Sequence, residues 1–252
     1  MLLAAIVLQA SVAAFAPPLD TPLRVVSERR EGPRGFRLER EIRFTREGTS
    51  YRAEVMLRAA TGDTPDGTGA LYEAGYAALI GTPITFHLDS AGTLTAIDDM
   101  PALWERYCAR VAEVAAERRS LSPADRSKLA ARIAAPLRAL PAERQRAMFA
   151  SLVSVVIADE ALAPGTAPVH LPASSAFGGG APLDGMRTVT PLPGGLLRSS
   201  TNAVSDTVTL ERVTEMDPRT GLIARNSKTV RVRAGGLEKL SITLITVEPV
   251  AR

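Results

Sequence analysis

Between Phe36 and Leu57 the chain alternates apolar and charged residues with a period of two, and this restricts its fold more than any other feature. Phe36, Leu38, Ile42 and Phe44 fall on one side, and Arg37, Glu39, Glu41 and Arg43 on the other. Successive strand side chains point to opposite faces, so the pattern specifies a half-buried β-strand. Arg40 is the one break, a cation on the apolar face. After the turn Glu47-Gly48-Thr49-Ser50 the alternation resumes with Tyr51, Ala53, Val55 and Leu57, opposed by Arg52, Glu54 and Arg58. Two such runs joined by a short glycine-containing turn form an antiparallel hairpin.

The same logic extends outward. Leu23–Arg30 reads as an earlier strand, turned by the segment 31–35. Residues 61–69 are a polar, glycine-rich loop, and 70–79 fit a helix or a strand equally well. Ile84, Phe86 and Leu88 alternate with Thr85, His87 and Asp89. The turn Asp89-Ser90-Ala91-Gly92 then sends the chain back through Thr93–Ile97 as a second hairpin.

The character changes at Met100. Pro101 suits a first helical turn, and Leu103, Tyr107, Val111 and Val114 recur at helical spacing beside Trp104 and Cys108. Ser122-Pro123-Ala124-Asp125 combines a capping hydroxyl, a proline at the first helical position and an acid at the positive end of the dipole. Leu129, Ile133 and Leu137 form the stripe of this second helix, which Pro136 should kink or end. Pro141 opens a third helix carrying Met148, Phe149, Leu152, Val153, Val155 and Val156. Residues 163–185 read as a linker without regular structure, rich in Pro, Gly, Ala and Ser. Strands resume at Met186, with Val208, Leu210 and Met216 at even spacing and Arg212 and Thr214 as polar exceptions. The turn Asp217-Pro218-Arg219-Thr220-Gly221 leads into a long strand with Leu222, Ala224, Val230 and Val232 on one face, and Leu237–Val247 is the last strand.

The expected fold is therefore α+β: a curled antiparallel β-sheet of seven to nine strands in two strand blocks, 22–98 and 186–248, with a three-helix insertion over 100–160 packed on one face. Residues 17–252 are read as one domain. Residues 1–16, MLLAAIVLQASVAAFA, have the apolar run and small-residue ending of a secretory signal peptide. Cleavage after Ala16 would leave Pro17 first, and cleavage after Ala14 would leave Phe15. The run is short of the roughly 20 apolar residues that span a bilayer, so no transmembrane segment is expected after cleavage, and a periplasmic or secreted location is.

Composition narrows the function classes. The chain is 46% hydrophobic and 23% charged, sufficient for a packed core. Aromatic residues make up 4%, too few for a base-stacking platform, and the net charge of +3 comes from arginines interleaved with glutamates. Nucleic-acid binding is not expected. The single cysteine, Cys108, forms no internal disulfide and sits in a helical apolar stripe, as a small buried residue does.

No catalytic motif is present: G-x-S-x-G, the P-loop, H-E-x-x-H and C-x-x-C are all absent. Gly178-Gly179-Gly180 precedes no helix and reads as linker rather than phosphate loop. His87 can pair with Asp89, two residues along the strand, and His170 has no obvious partner. Two separated histidines make no metal site. No catalytic residue, metal ligand or cofactor is therefore assigned. Asp98-Asp99 fit a helix N-terminus, whereas Asp159-Glu160 sit unfavourably at a helix end.

The segment Gly81–Leu94, G-x-x-x-x-F-x-L-D-x-x-G-x-L, and the return turn Asp217–Leu222, D-P-R-T-G-L, together with the leader and the strand–helix–strand order, resemble uncharacterised exported bacterial proteins. More loosely, they resemble lipoprotein-carrier half-barrels of the LolA type. That resemblance implies a curled sheet wrapping an apolar face around helices, and it carries over no functional residue. The expectation is an exported, soluble, non-enzymatic envelope protein binding an apolar ligand such as a lipid in a half-barrel. The residues expected to line it are Phe36, Ile42, Phe44, Val55, Leu57, Ile84 and Phe86. The alternative is a structural or protein-interaction module of the envelope. A hydrolase built on His87, Asp89 and Ser90 has no supporting spacing.

Overall fold

A computed structural model describes residues 15–62, 75–117, 122–159, 162–171, 182–234 and 236–250. Eleven strands form one antiparallel sheet: β1 Leu23–Glu31, β2 Arg34–Glu47, β3 Ser50–Gly62, β4 Pro83–Leu88, β5 Leu94–Ile97, β6 Gly165–Leu171, β7 Leu183–Pro191, β8 Leu197–Val204, β9 Val208–Asp217, β10 Leu222–Ala234 and β11 Leu237–Pro249. Their order is β5-β4-β3-β2-β1-β11-β10-β9-β8-β7-β6. The two strand runs are thus one continuous curled sheet, joined where β1 pairs with β11 from Leu23↔Pro249 to Glu31↔Ser241. The architecture is α+β with an antiparallel sheet, and it has more strands than the sequence periodicity counts.

The alternation of β2 and β3 works as read. Leu38, Ile42, Phe44, Ala53, Val55 and Leu57 are buried on the inner face. The opposed charges tie the outer face together: Arg24 to Glu39 at 2.7 Å, Arg58 to Glu41 at 2.7 Å, and Arg37 to Glu28. A register shift between Glu39 and Arg40 marks a bulge against β3. A second irregularity, between Ile223 and Arg225, lets both Leu222 and Ile223 be buried, where strict alternation would expose one of them.

Three α-helices lie between β5 and β6 in sequence: α1 Met100–Glu117, α2 Pro123–Arg138 and α3 Ala142–Ser154. Leu103, Trp104, Tyr107, Cys108 and Val111 of α1 and Phe149, Leu152 and Val153 of α3 share one core with the inner faces of β1–β4. Trp104 stacks on Tyr107 with ring centroids 5.4 Å apart, and Phe149 meets both edge-on. Helix α2 packs on α1 and buries only Ala134, so its Leu129, Ile133 and Leu137 remain half-buried. Ser122 caps it through the Asp125 amide, and it ends two residues after Pro136.

Three readings need correction. The segment 163–185 is not a structureless linker: it contains β6 and the start of β7, paired from Gly165↔Val189 to Leu171↔Leu183. Pro168 is compatible with β6 because that strand is the sheet edge and has only one neighbour to bond. His87 does not pair with Asp89. The Asp89 carboxylate accepts the Ala91 and Thr93 amides and closes the turn at Gly92, which has φ +83°. His170 does have a partner, Asp184, at 2.7 Å across the β6–β7 pair.

Residues 1–14, most of the 61–69 loop and Gly178–Gly180 lie outside the described residues. Phe15 and Ala16, assigned above to the leader, join the folded domain, Phe15 in the core and Ala16 exposed at its surface. The Phe15 ring lies edge-on to Phe44 and Tyr51, its carbonyl accepts the Tyr51 hydroxyl at 3.0 Å, and the Ala16 amide donates to the Thr220 carbonyl at 3.0 Å.

Candidate functional site

Six of the seven residues expected to line a ligand cavity lie side by side on β2, β3 and β4. Ile42, Phe44, Val55, Leu57, Ile84 and Phe86 are each at most 1% exposed, and the side chains of α1 and α3 pack in the same cluster. Phe36 is half-buried at its margin. This apolar face is the protein's own core, and a ligand reaches it only if the helices leave it.

Arg40 stands among these residues, 1% exposed, and among the described residues no carboxylate pairs with it. Its Nε donates to the Leu152 carbonyl at 2.7 Å and its Nη1 to the Ser27 hydroxyl at 2.9 Å. Leu152 lies in the last turn of α3, where carbonyls lack helical partners and the dipole is negative, so the guanidinium is held by the end of a helix. Burial pushes its pKa down to about 10, and it remains a cation at neutral pH. Arg40 thus fastens sheet to helix.

The other half of the inner face is built differently. Leu183, Ala203 and Leu210 form a small separate cluster with Leu171, Val208 and Val230, and among the described residues no helix residue joins it. Gly185 lies against Asn202 and Ala203 of β8 so closely that a Cβ there would come within 2.0 Å of the Asn202 carbonyl oxygen. Beside this cluster the inward positions turn polar. Ser199, Thr201 and Thr214 are buried, and Asn226 Nδ2 donates to Thr214 Oγ1 at 3.0 Å. The chain leaving α3 crosses here. Ile157 bridges to Leu222, the Ile223 amide donates to the Val156 carbonyl, and Asp159 reaches Arg212 at 3.6 Å. A crevice opens between Ala158, Asp159 and Leu162 on one side and Ser199, Arg212, Thr214, Met216 and Ile223 on the other. Asp159, which lacks a role as a helix-end acid, belongs to this rim. Glu160 lies outside the described residues.

Sequence reading passes over this region because its signal is an interruption. Arg212 and Thr214 fall at inward positions of β9, and Lys228 falls at an inward position of β10 between Leu222 and Val230.

The remaining polar candidates are held in place. His87 Nδ1 lies 3.1 Å from Glu47 and Nε2 2.9 Å from Asp98. These carboxylates, Asp98 first, raise its pKa above the usual imidazole value. With both ring nitrogens facing acids, neither is left to take a proton from a hydroxyl. Asp98 is therefore a histidine partner rather than a helix-start acid. Cys108 is fully buried, and burial pushes its thiol up to about 11, away from thiolate chemistry. Among the described residues no group of three or more His, Cys, Asp and Glu side chains converges to hold a metal, and no helix is long and apolar enough to cross a membrane.

No family model and no curated protein matches the chain. Among solved structures, the crystal structure of Rv2717c from M. tuberculosis aligns over 90% of this chain and 90% of that chain, at 11% identity and a TM-score of 0.22, a likeness too slight to carry a structural argument.

Proposed function

We propose that this protein is a non-enzymatic binding protein of the cell envelope that holds an apolar ligand, such as a lipid acyl chain, on the inner face of its curled sheet. The observation that carries this reading is the separate apolar patch of Leu183, Leu210, Val208, Val230 and Leu171, on a stretch of sheet where no described helix packs. Apolar surface of this kind, next to a few placed polar groups, is what small-molecule sites are made of. The binding surface in this reading is β7–β10, and the Phe36 to Phe86 set stays core unless the helices open. Native mass spectrometry of protein purified from its own envelope tests it: the expected result is a co-purified lipid. Clean apo-protein that also fails to enhance an apolar fluorescent dye would overturn it.

Export is part of the same reading, and the packing of Phe15 supports the earlier of the two cleavage points. Cleavage after Ala14 keeps the Phe15 ring against Phe44 and Tyr51, whereas cleavage after Ala16 discards it. The expected mature N-terminus is Phe15, read from the intact mass.

The alternative, a protein-interaction module of the envelope, draws on the sheet edge. Strand β6 is terminal in the sheet and largely exposed, so it can accept a partner strand by main-chain pairing. Charged substitutions along β6 that abolish an envelope complex, with lipid content unchanged, would favour it.

A further inference from the structure

The strand registers bring distant cations into a single row. Arg29 on β1 is opposite Thr243 on β11, and Thr243 is opposite Lys228 on β10. Lys228 is opposite Arg212 on β9, Arg212 opposite Thr201 on β8, and Thr201 opposite Arg187 on β7. Directly opposed residues of antiparallel strands share a face. This face is the inner one, since Arg29 follows Val25 and Ser27 by even steps and Ser27 bonds Arg40.

Like charges directly opposed on adjacent strands destabilise a sheet, so the row carries a folding cost. Acids reach at least two of its members, Arg29 and Arg212. Glu31 lies 3.6 Å from Arg29 and also holds Lys239, and Asp159 lies 3.6 Å from Arg212. Among the described residues no carboxylate reaches Lys228. It is half-buried, and both burial and the charges of Arg212 and Arg29 hold its pKa below the usual lysine range. The neighbours in its row that are not cations, Thr243 and Thr201, offer hydroxyls.

One step further along the same strands the face becomes apolar. Val230, Leu210 and Ala203 are opposed in register on β10, β9 and β8, with Leu183 and Leu171 beyond them. A two-residue step on a strand is about 7 Å, so cation row and apolar cluster are adjacent bands on one surface.

We infer that this surface binds an anionic amphiphile: an acyl chain lying over Leu210, Val230 and Leu183, with its carboxylate or phosphate headgroup on Lys228 and Arg212. The inference rests on the proposed function and adds the charge of the ligand. A bound anion supplies the counter-charge that Lys228 lacks, and charge-assisted hydrogen bonds are among the stronger polar contacts. An uncharged ligand would supply no counter-charge to Lys228.

The test uses the mature protein with three probes: a dansyl-labelled long-chain fatty acid, its methyl ester, and inorganic phosphate as competitor. The acid should bind at least about tenfold tighter than the ester. Lys228→Gln should bring the acid down to the affinity of the ester and leave the ester unchanged, and Leu210→Ser should weaken both. Lys228→Gln should also melt no lower than the native protein, since it removes a repelled charge. A lower melting temperature would mean that Lys228 is already satisfied, and would overturn the inference. Equal binding of acid and ester overturns the anionic headgroup and leaves the apolar ligand standing. Binding of neither overturns both. Phosphate bound through Lys228 without any fatty-acid binding makes the ligand a free anion and removes the acyl chain.

Discussion

The two halves of this sheet are made of the same kind of strand, twist and hairpin, yet their inner faces differ. From β2 to β4 nearly every inward residue is apolar and fully buried, because α1 and α3 cover it. From β7 to β10 the inward residues are a small apolar cluster beside serine, threonine, asparagine, lysine and arginine. Where a helix lies over a sheet, water is excluded and an unpaired polar group costs several kcal/mol. Where none does, the inward polar groups are hydroxyls, an amide and cations, with Thr214 paired to Asn226. The deeply buried charge of the covered half, Arg40, is held by a helix-end carbonyl and the Ser27 hydroxyl. The covered half holds the fold together, and the half that the helices leave open is the one proposed above to bind.

This contrast can be broken experimentally, most sharply by truncating one large residue in each half. Phe86→Ala, at 0% exposure in the covered core, should cost about 3–5 kcal/mol in urea unfolding, against about 2 kcal/mol for Leu210→Ala at 9% exposure in the open half. Equal losses would mean that the two halves are packed alike. Next comes Arg40→Ala, which leaves the Leu152 carbonyl and the Ser27 hydroxyl unpaired around a cavity. The expected loss is about 2–4 kcal/mol, with Arg40→Met recovering much of it by filling the volume. If Arg40→Ala is neutral in the same unfolding measurement, the guanidinium is not fastening α3 to the sheet.

The smallest effect is a pH dependence at the rim of the covered half. The folded-state pKa of His87 is raised by Asp98 and Glu47, so its pairing stabilises fully below the unfolded value of about 6.5 and is lost as pH rises through the folded value. The partners are solvated, so less than about 1 kcal/mol is at stake. The difference in melting temperature between native protein and His87→Gln should be largest near pH 6 and vanish by about pH 9. A difference independent of pH would remove the ion pairs from the account.

Local features were legible in the sequence wherever the physics is local. The two hairpins of β2–β5 follow from alternation and turn residues. The start of α2 follows from Ser122 and Pro123, and the Asp217–Gly221 turn from an aspartate that accepts the Arg219 amide at 2.9 Å and a glycine at φ +70°. Three things were not legible. β6 was hidden by a proline that only an edge strand accommodates. Arg40 looks like an error on an apolar face until a helix end more than a hundred residues away meets it. The cation row depends on five registers, and the one that joins the halves pairs residues from opposite ends of the sequence. The candidate site was less legible than the fold for the same reason: its residues come together only through long-range pairing, and their sequence trace is a lysine or arginine where a valine was expected.

The β1–β11 pairing also fixes an order of events in making the protein. Strands β1–β5 and β6–β11 are each meanders whose neighbours are close in sequence, so either can zip up early, while Leu23 must wait for Pro249. During synthesis the first meander and its helices are complete long before β11 exists, and β1 spends that interval as an unprotected edge with its hydrogen-bonding groups open to other chains. The central seam of the finished sheet is therefore the last part to close, and the window in which a nascent chain is most prone to aggregate is set by the time needed to make the second half.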